Sequence, residues 1–216
     1  MSLKITRTHP SPRSFVGRFV MLVPMDVERD VEELHAISHL PDEAYALWRY
    51  MPCGPFAHAM EQAAFLREWV ARDDVVAFTV RAADTQSCLG SISLMSIRAA
   101  HGVAELGNVW YTPTAQRTKV NTEACYLLLR HCFETLGYRR MEWKCDSRNE
   151  RSRRAALRLG FTFEGIFRQH MVIKGENRDT AWFAMLDGEW PRMGAALAHW
   201  LYEDDSQALG QIIAAG

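Results

Sequence analysis

The sequence has no excess of charge of either sign, with 25 lysines and arginines against 26 aspartates and glutamates. Proteins that bind nucleic acid or an anionic membrane through their overall charge carry a clear basic excess. We therefore expect neither nucleic acid nor a membrane as a partner. Any binding of an anion must be local.

Cysteines are few, odd in number and scattered along the chain. They form no CxxC pair and no cluster with histidine at the spacing of zinc ligands. We predict reduced, mostly buried thiols and no metal cofactor. The five positions are Cys53, Cys88, Cys125, Cys132 and Cys145.

Long hydrophobic segments are also missing. The first residues lack the apolar stretch of a signal peptide, and no run approaches the roughly 18 apolar residues of a membrane span. These absences favour the cytoplasm. A chain of 216 residues with 48% hydrophobic content can bury one core. We predict an N-terminal arm over 1–15, a single domain over 16–203 and a C-terminal tail over 204–216.

Periodicity divides the folded part into two regions. In the first, Asp26 is a candidate cap for a helix with apolar Val31, Leu34 and Ile37. Helices over 42–51 and 60–72 follow, and strands are predicted over 17–24, 75–82, 88–97 and 103–111.

The second region alternates between helices and strands. The pattern predicts helices over 122–136, 150–159 and 190–200, and strands over 140–145, 161–173 and 179–186. An antiparallel meander that leads into a βαβ unit predicts a mixed α/β fold. Its twisted, mostly antiparallel sheet has about seven strands, with helices on both faces. The last helix carries Trp190, Met193, Leu197 and Trp200, and its periodicity suits either closure of the domain or a homodimer face.

A short polar loop joins the strand that ends at Pro113 to a new helix. The first backbone N–H groups of a helix lack partners within the helix, and the helix dipole is positive there. Such a junction binds a pyrophosphate well, and Arg117 and Lys119 add positive charge. The alternative is a plain capped helix on the surface.

The stretch ELGNVWYTPTAQRTKVNTEA, residues 105–124, resembles the acetyl-CoA-binding motif of GNAT N-acyltransferases. That loop reads Gln/Arg-x-x-Gly-x-Gly/Ala, and Gln116 matches its first position. Lys119 and Asn121 replace the usual glycine and small residue, and Arg117 occupies another position that is often glycine. Helical dihedral angles at these positions would not require glycine, and asparagine accepts unusual dihedral angles, so the backbone cradle would survive these changes.

A second stretch, residues 149–168, resembles the NxxS…A…LGFxxEG region of the RimJ/RimL-type branch of this family. Asn149 can also cap the helix, and Gly160 can end it in a left-handed conformation. The resemblance covers about residues 16–187. It implies the GNAT fold, with a V-shaped cleft that holds an acyl-CoA.

The resemblance also implies residue roles. Ser152 would protonate the leaving thiolate, and Asn149 would bind the cofactor. The strand residues Val109, Trp110 and Tyr111 would bind the pantetheine through their backbone. The implied cofactor-binding residues of the loop are Gln116, Arg117, Thr118, Lys119, Val120, Asn121 and Thr122.

Acyl transfer to an amine needs a group that removes a proton from the amine, which is mostly protonated at neutral pH. Glu105 is the leading candidate for this base, directly or through one water, and an exposed, inert glutamate is the alternative. His131 and Cys132 lie on a helix with a core pattern, and no Asp/His pair has the spacing of an activated nucleophile. We therefore expect direct attack in a ternary complex.

The functional prediction is an N-acetyltransferase that uses acetyl-CoA to modify a peptide or protein N-terminus or a small amine. Two alternatives remain, a transferase for another acyl-CoA such as succinyl-CoA and a non-catalytic acyl-CoA-binding module. The altered loop favours these alternatives. Four arginines in the second stretch are candidates for binding the adenosine 3′-phosphate or an acidic substrate. The alternative interpretation is a solvated helix face. These residues are Arg151, Arg153, Arg154 and Arg158.

Overall fold

The computed structural model describes residues 8–41 and 44–215. Within them the chain forms eight strands and seven α-helices. The strands are β1 (Phe15–Val16), β2 (Val20–Pro24), β3 (Val76–Ala82), β4 (Cys88–Arg98), β5 (Val103–Tyr111), β6 (Arg140–Asp146), β7 (Thr162–Ile173) and β8 (Glu176–Leu186). The helices are α1 (Val27–Ser38), α2 (Ala44–Trp48), α3 (Ala59–Val70), α4 (Val120–Arg130), α5 (Glu150–Arg158), α6 (Trp190–Tyr202) and α7 (Leu209–Ala215).

The strands form one mixed sheet in the order β1-β2-β3-β4-β5-β6-β8-β7. β5 and β6 are parallel, with Val103 opposite Arg140 and Glu105 opposite Glu142, while β6 and β7 are each antiparallel to β8. The predicted mixed sheet is confirmed. It has eight strands instead of seven because a turn, closed by a 2.8 Å hydrogen bond from Gly17 N–H to Val20 O, separates the short β1 from β2.

Most predicted elements are confirmed within a few residues. Asp26 caps α1, since its side chain accepts a 3.2 Å hydrogen bond from Arg29 N–H. α2 is shorter than the predicted 42–51, of which residues 42 and 43 lie outside the described chain. The predicted helix over 122–136 begins at Val120 as α4 and ends in a π-helical turn, His131–Thr135.

The chain divides into two compact units. The first comprises 98–105 and 125–215 together with residues 8 and 9, and the second comprises 10–97 and 106–124. The predicted single domain over 16–203 stays a prediction. The C-terminal tail, which the sequence pattern left without structure, contains α7.

In the second unit, α1, α2 and α3 pack around a cluster of aromatic side chains. The Trp48 ring lies 5.3 Å from Phe56 and 5.8 Å from Trp110, measured between ring centroids. Trp110 therefore belongs to the hydrophobic core. Gly90 permits this packing, because a Cβ atom at that position would lie only 2.1 Å from the carbonyl oxygen of Trp110.

In the first unit, α6 packs on the chain that follows α4. Its Trp190 ring stacks on Phe133 at 5.3 Å and lies 6.0 Å from Tyr126. Met193 and Leu197 are buried on the same face. The apolar side of α6 therefore packs within its own unit, which favours closure of the fold over a homodimer face. A homodimer through another surface stays a prediction.

The cysteines are thiols, four of them buried and Cys53 half-buried. The predicted burial of most cysteines is confirmed. Burial raises the pKa of Cys88 to about 12 and that of Cys125 to about 12, so these two thiols are neutral at physiological pH. Over the described residues, no helix is long and apolar enough to cross a membrane, and no three potential metal ligands cluster.

Candidate active site

The loop after β5 is built on a short 3-10 turn. Thr112 begins this turn and accepts a 3.3 Å hydrogen bond from Ala115 N–H. The side chain of Gln116 then reaches back, and its Nε2 donates a 2.9 Å hydrogen bond to the carbonyl oxygen of Tyr111. Gln116 therefore holds the loop against the end of β5.

The predicted loop residues divide at the start of α4. Residues 116–119 precede the helix, and residues 120–122 form its first turn. Gln116, Arg117 and Thr118 are exposed. Thr118 supports the helix start, because its hydroxyl accepts a 3.2 Å hydrogen bond from Val120 N–H.

Arg117 has a left-handed backbone conformation, with φ of +62°. Residue 117 therefore lacks the helical dihedral angles at which glycine would not be required. A non-glycine residue pays roughly 1–2 kcal/mol for this conformation, because its Cβ atom approaches a backbone oxygen. The loop thus keeps, with an arginine, the dihedral angle that glycine adopts most easily.

Val109, Trp110 and Tyr111 form the end of β5, as predicted. The Trp110 and Tyr111 side chains are buried, while Val109 is half-buried. Just before them Asn108 has φ of +50°, which interrupts the extended backbone of the strand. Sequence reasoning missed this bend. Asparagine in a strand was the available signal, since it accepts left-handed dihedral angles more readily than most residues.

Glu123 is a buried carboxylate that sequence reasoning also missed. Its side chain, in a residue that is 0% exposed, accepts hydrogen bonds of 2.7 Å from the backbone N–H groups of Arg18, Phe19 and Val20. The first turn of α4 is thereby attached to the turn between β1 and β2. This attachment fixes the helix that follows the loop.

The second stretch folds locally as predicted. Asn149 caps α5 by accepting a 3.2 Å hydrogen bond from Ser152 N–H, and Gly160 follows the helix with φ of +92°. The Ser152 hydroxyl accepts a 2.9 Å hydrogen bond from Trp143 Nε1. Burial raises the pKa of Cys145, and a hydrogen bond from Ser152 partly offsets this. The hydroxyl of Ser152 is thus already engaged with residues of β6.

The first-unit residue Glu105 is not an exposed glutamate. It is 5% exposed, and its Oε2 lies 2.8 Å from Lys144 Nζ. Sequence reasoning did not identify Lys144, because nothing local to β6 shows that residue 144 contacts residue 105. Glu105 therefore belongs to a buried ion pair, and its catalytic role stays a prediction.

The arginines of α5 have separate surroundings. Arg154 pairs with Glu150 at 2.8 Å on the exposed surface, and Arg151 is exposed. Arg158 lies with its guanidinium 5.9 Å from the Trp200 ring, and burial lowers its pKa from the ordinary value. Arg153 lies 5.9 Å from the Phe163 ring. These contacts divide the four arginines between the surface and the packing of the first unit.

The chain is similar to a known protein family and to solved structures. The family pattern described as Acetyltransferase (GNAT) domain matches residues 20–162, which is more than half of the chain. A crystal structure of a GCN5-related N-acetyltransferase from Brucella melitensis is 38% identical, with 97% of this chain and 98% of that chain covered and a TM-score of 0.92. A GNAT-family structure from Chromobacterium violaceum is 41% identical over 86% of this chain and 92% of its own, with a TM-score of 0.81.

Curated relatives match over a shorter segment. A Bacillus subtilis protein named "Putative ribosomal N-acetyltransferase YdaF" is 31% identical over 104 residues. The match covers 48% of this chain and 56% of the relative, so the chain spans about half the length of this relative. The name agrees with the RimJ/RimL-type branch that the second stretch resembles.

Proposed function

The chain belongs to the GNAT acetyltransferase family, and from this premise we propose that it transfers an acetyl group from acetyl-CoA to a primary amine. The observation that carries the proposal is the junction of β5, its loop and α4. The exposed Arg117 adds positive charge before the helix, and Glu123 fixes the helix start. A fixed helix N-terminus with a neighbouring cation suits a pyrophosphate.

The changed loop residues also fit acyl-CoA. Glycine is used where a backbone must adopt a positive φ, and Arg117 adopts this conformation without glycine. Lys119 comes one residue before α4, and Asn121 lies within its first turn. Residues 116–122 would hold the phosphates, and the backbone of 109–111 would hold the pantetheine. Asn149 is proposed, from the family resemblance, as a further cofactor-binding residue. Acetyl-CoA would supply the activated thioester.

We propose that Glu105 acts as the general base. Its carboxylate accepts the proton that the amine loses during attack, directly or through one water. The ion pair with Lys144 favours the ionised carboxylate, which is the form a base requires. The buried thiols Cys88 and Cys125 have raised pKa values, and this supports direct attack over an acyl-cysteine intermediate.

Ser152 would protonate the thiolate of CoA as it leaves. Because the ordinary pKa of a thiol is about 8.5, a weak acid can help this step only modestly. The contact of Ser152 with Trp143 also supports a structural role. We therefore assign Ser152 a smaller share of the rate than Glu105.

The acceptor is proposed as a peptide or protein N-terminus, or alternatively a small amine. The name of YdaF, a ribosomal N-acetyltransferase, favours the first. Fold alone does not determine an acceptor. Transfer from succinyl-CoA is the second candidate function, because residues 117 and 119 differ from the usual loop. The cytoplasm is the proposed compartment, in keeping with five cysteines that are thiols.

A thermal-shift experiment tests the cofactor. Acetyl-CoA, succinyl-CoA and CoA are each added at saturating concentration, with adenosine as the control that lacks phosphates. We expect acetyl-CoA to raise the melting temperature, because a ligand that binds only the folded state stabilises it. If neither acyl-CoA raises it, the cofactor assignment is wrong. Thiol release with a panel of peptides and amines then identifies the acceptor.

A further inference from the structure

Lys144 of β6 lies among buried groups in the first unit. Its Nζ is 2.8 Å from Glu105 Oε2 and 3.5 Å from Glu142 Oε2, and its side chain is 15% exposed. The same Nζ lies 4.1 Å from the centroid of the Trp182 ring. Lys144 therefore contacts two carboxylates and the face of an aromatic ring.

The two carboxylates are neighbours in the sheet. Glu105 and Glu142 lie opposite each other in the parallel register of β5 and β6, and both are buried. Two negative charges this close disfavour each other, and burial disfavours both. A cation between them removes this penalty.

Glu142 has further cations of its own. Arg98 and Arg140 contact it at 2.7 and 2.9 Å. Burial would raise the pKa of Glu142, but the hydrogen bond from Arg140 and the charges of Lys144 and Arg98 outweigh burial and lower it. The shorter contact of Lys144 is with Glu105, so its charge acts most strongly there.

The Trp182 ring is itself held by the hairpin of β7 and β8. Phe167 packs on it with 4.7 Å between ring centroids. Beyond Phe167 the strand pairing shifts, Gln169 has φ of +50°, and its N–H donates a 2.7 Å hydrogen bond to Asp179. The hairpin thus fixes the ring on which the Lys144 ammonium rests. A cation on an aromatic face is attracted by the negative charge density of the ring.

We propose that Lys144 is a positioning residue that keeps the Glu105 carboxylate ionised and in place. This inference rests on the proposed role of Glu105 as the base. An opposite charge within about 4 Å favours the ionised carboxylate, while Glu142 and burial oppose it. The surrounding strands carry other charged and titratable side chains, and none of them is substituted in the test: Arg98, Arg140, Asp146, Glu164 and His170.

The first test measures the Glu105 carboxyl directly and needs no acceptor. The protein is labelled with carbon-13 at the glutamate carboxyl, and the Glu105 signal is assigned by its loss in Glu105→Gln. Lys144→Met should raise the pKa of Glu105 by about one or more, the range expected for loss of an adjacent charge, whereas Lys144→Arg should largely preserve it. The exposed Arg67, which pairs with Glu28, gives the control Arg67→Met, with no change.

An unchanged Glu105 pKa in folded Lys144→Met would overturn the proposal. If Lys144→Met does not fold, Glu105→Gln is examined instead, and the nitrogen-15 signal of Lys144 Nζ is followed in the wild type and this variant. Loss of the ion pair should change that signal. An unchanged signal contradicts the proposal.

The second test uses the pH dependence of kcat/KM with acetyl-CoA and the best amine of the panel. Lys144→Met should move the acidic limb to higher pH, because Glu105 then gains its proton at a higher pH, and Lys144→Arg should restore the wild-type limb. A uniform fall in rate at every pH would indicate a merely structural role and contradict the proposal. If no amine is acetylated at all, the proposed function fails, while the titration of Glu105 still decides the role of Lys144.

Discussion

The carboxylate of Glu123 accepts a 2.7 Å hydrogen bond from the backbone N–H of Val20. It thereby joins the first turn of α4 to the start of β2, two segments that are 103 residues apart in sequence. Two further backbone N–H groups donate to the same carboxylate. One buried side chain therefore accepts hydrogen bonds from three consecutive backbone N–H groups.

Glu123→Gln should lower the free energy of unfolding by about 2–4 kcal/mol, since three charge-assisted hydrogen bonds weaken and an amide NH₂ group faces backbone donors. Urea denaturation followed by tryptophan fluorescence measures this. Glu150→Gln is the control, because Glu150 pairs with Arg154 on the exposed surface, and it should have little effect. Equal effects of the two variants would show that the buried carboxylate is unimportant.

The backbone of Arg117 can be tested with two variants at one position. Arg117→Gly and Arg117→Ala both remove the charge, but only glycine relieves the cost of φ at +62°. We expect the glycine variant to be the more stable by about 1 kcal/mol, because the saving in the folded loop exceeds the entropy that glycine adds to the unfolded chain. Parallel urea denaturation gives the comparison. A more stable alanine variant would argue against a left-handed residue 117.

Glu105→Gln should lower kcat/KM by about ten- to a thousandfold, the range of general base catalysis, and should leave the binding of acetyl-CoA intact. Steady-state thiol release and a thermal shift with acetyl-CoA measure the two properties separately. Glu28→Gln, at an exposed position, is the control and should change neither property. Unchanged kinetics would remove Glu105 from the mechanism.

Ser152→Ala should reduce kcat only severalfold, because the leaving thiolate is a weak base. It should also destabilise the protein by about 1 kcal/mol, since Trp143 Nε1 loses its hydrogen-bond acceptor. Ser152→Thr, which keeps a hydroxyl, is the matched variant for both measurements. A loss of activity as large as that of Glu105→Gln would give Ser152 a central role that we do not expect.

The buried carboxyl group of Asp30 should make the free energy of unfolding depend on pH in the acidic range. Burial would raise its pKa, but hydrogen bonds from Arg29, Thr79 and Arg81 outweigh burial and hold the pKa at about 2. The folded-state value is below the ordinary 3.8, so the unfolded state binds more protons as the pH falls from about 4 to 2. The stabilisation, on the order of 2 kcal/mol, is complete above the unfolded pKa and is lost over that range.

The difference in unfolding free energy between wild type and Asp30→Asn should therefore be largest near pH 7 and shrink towards pH 3. Urea denaturation at several pH values measures it. Asp73→Asn, at an exposed position, provides the comparison and should show no such trend. A difference that stays constant with pH would mean that the titration of Asp30 does not contribute.

Much of the fold could be predicted because its signals are local. Apolar spacing in α1, the Asn149 cap and the glycine at position 160 act within a few residues, and the structure contains each of them. The short β1 was missed because two residues are too few to show a strand period. The positions of the loop and of the capping side chain were likewise predictable.

The partners of the candidate catalytic residues required the tertiary structure. Lys144 contacts Glu105 because β5 and β6 are adjacent and in a particular register, and no local pattern encodes a register between strands separated by a helix. The same holds for Glu123 and the turn before β2. The left-handed Arg117 depends on the packing of a whole loop. By itself the sequence determined the order of elements, the helix caps and the family resemblance, because short-range periodicity and local hydrogen bonds carry them. The pairing of buried charges was decided only by the folded chain, where distant residues come within a few ångströms.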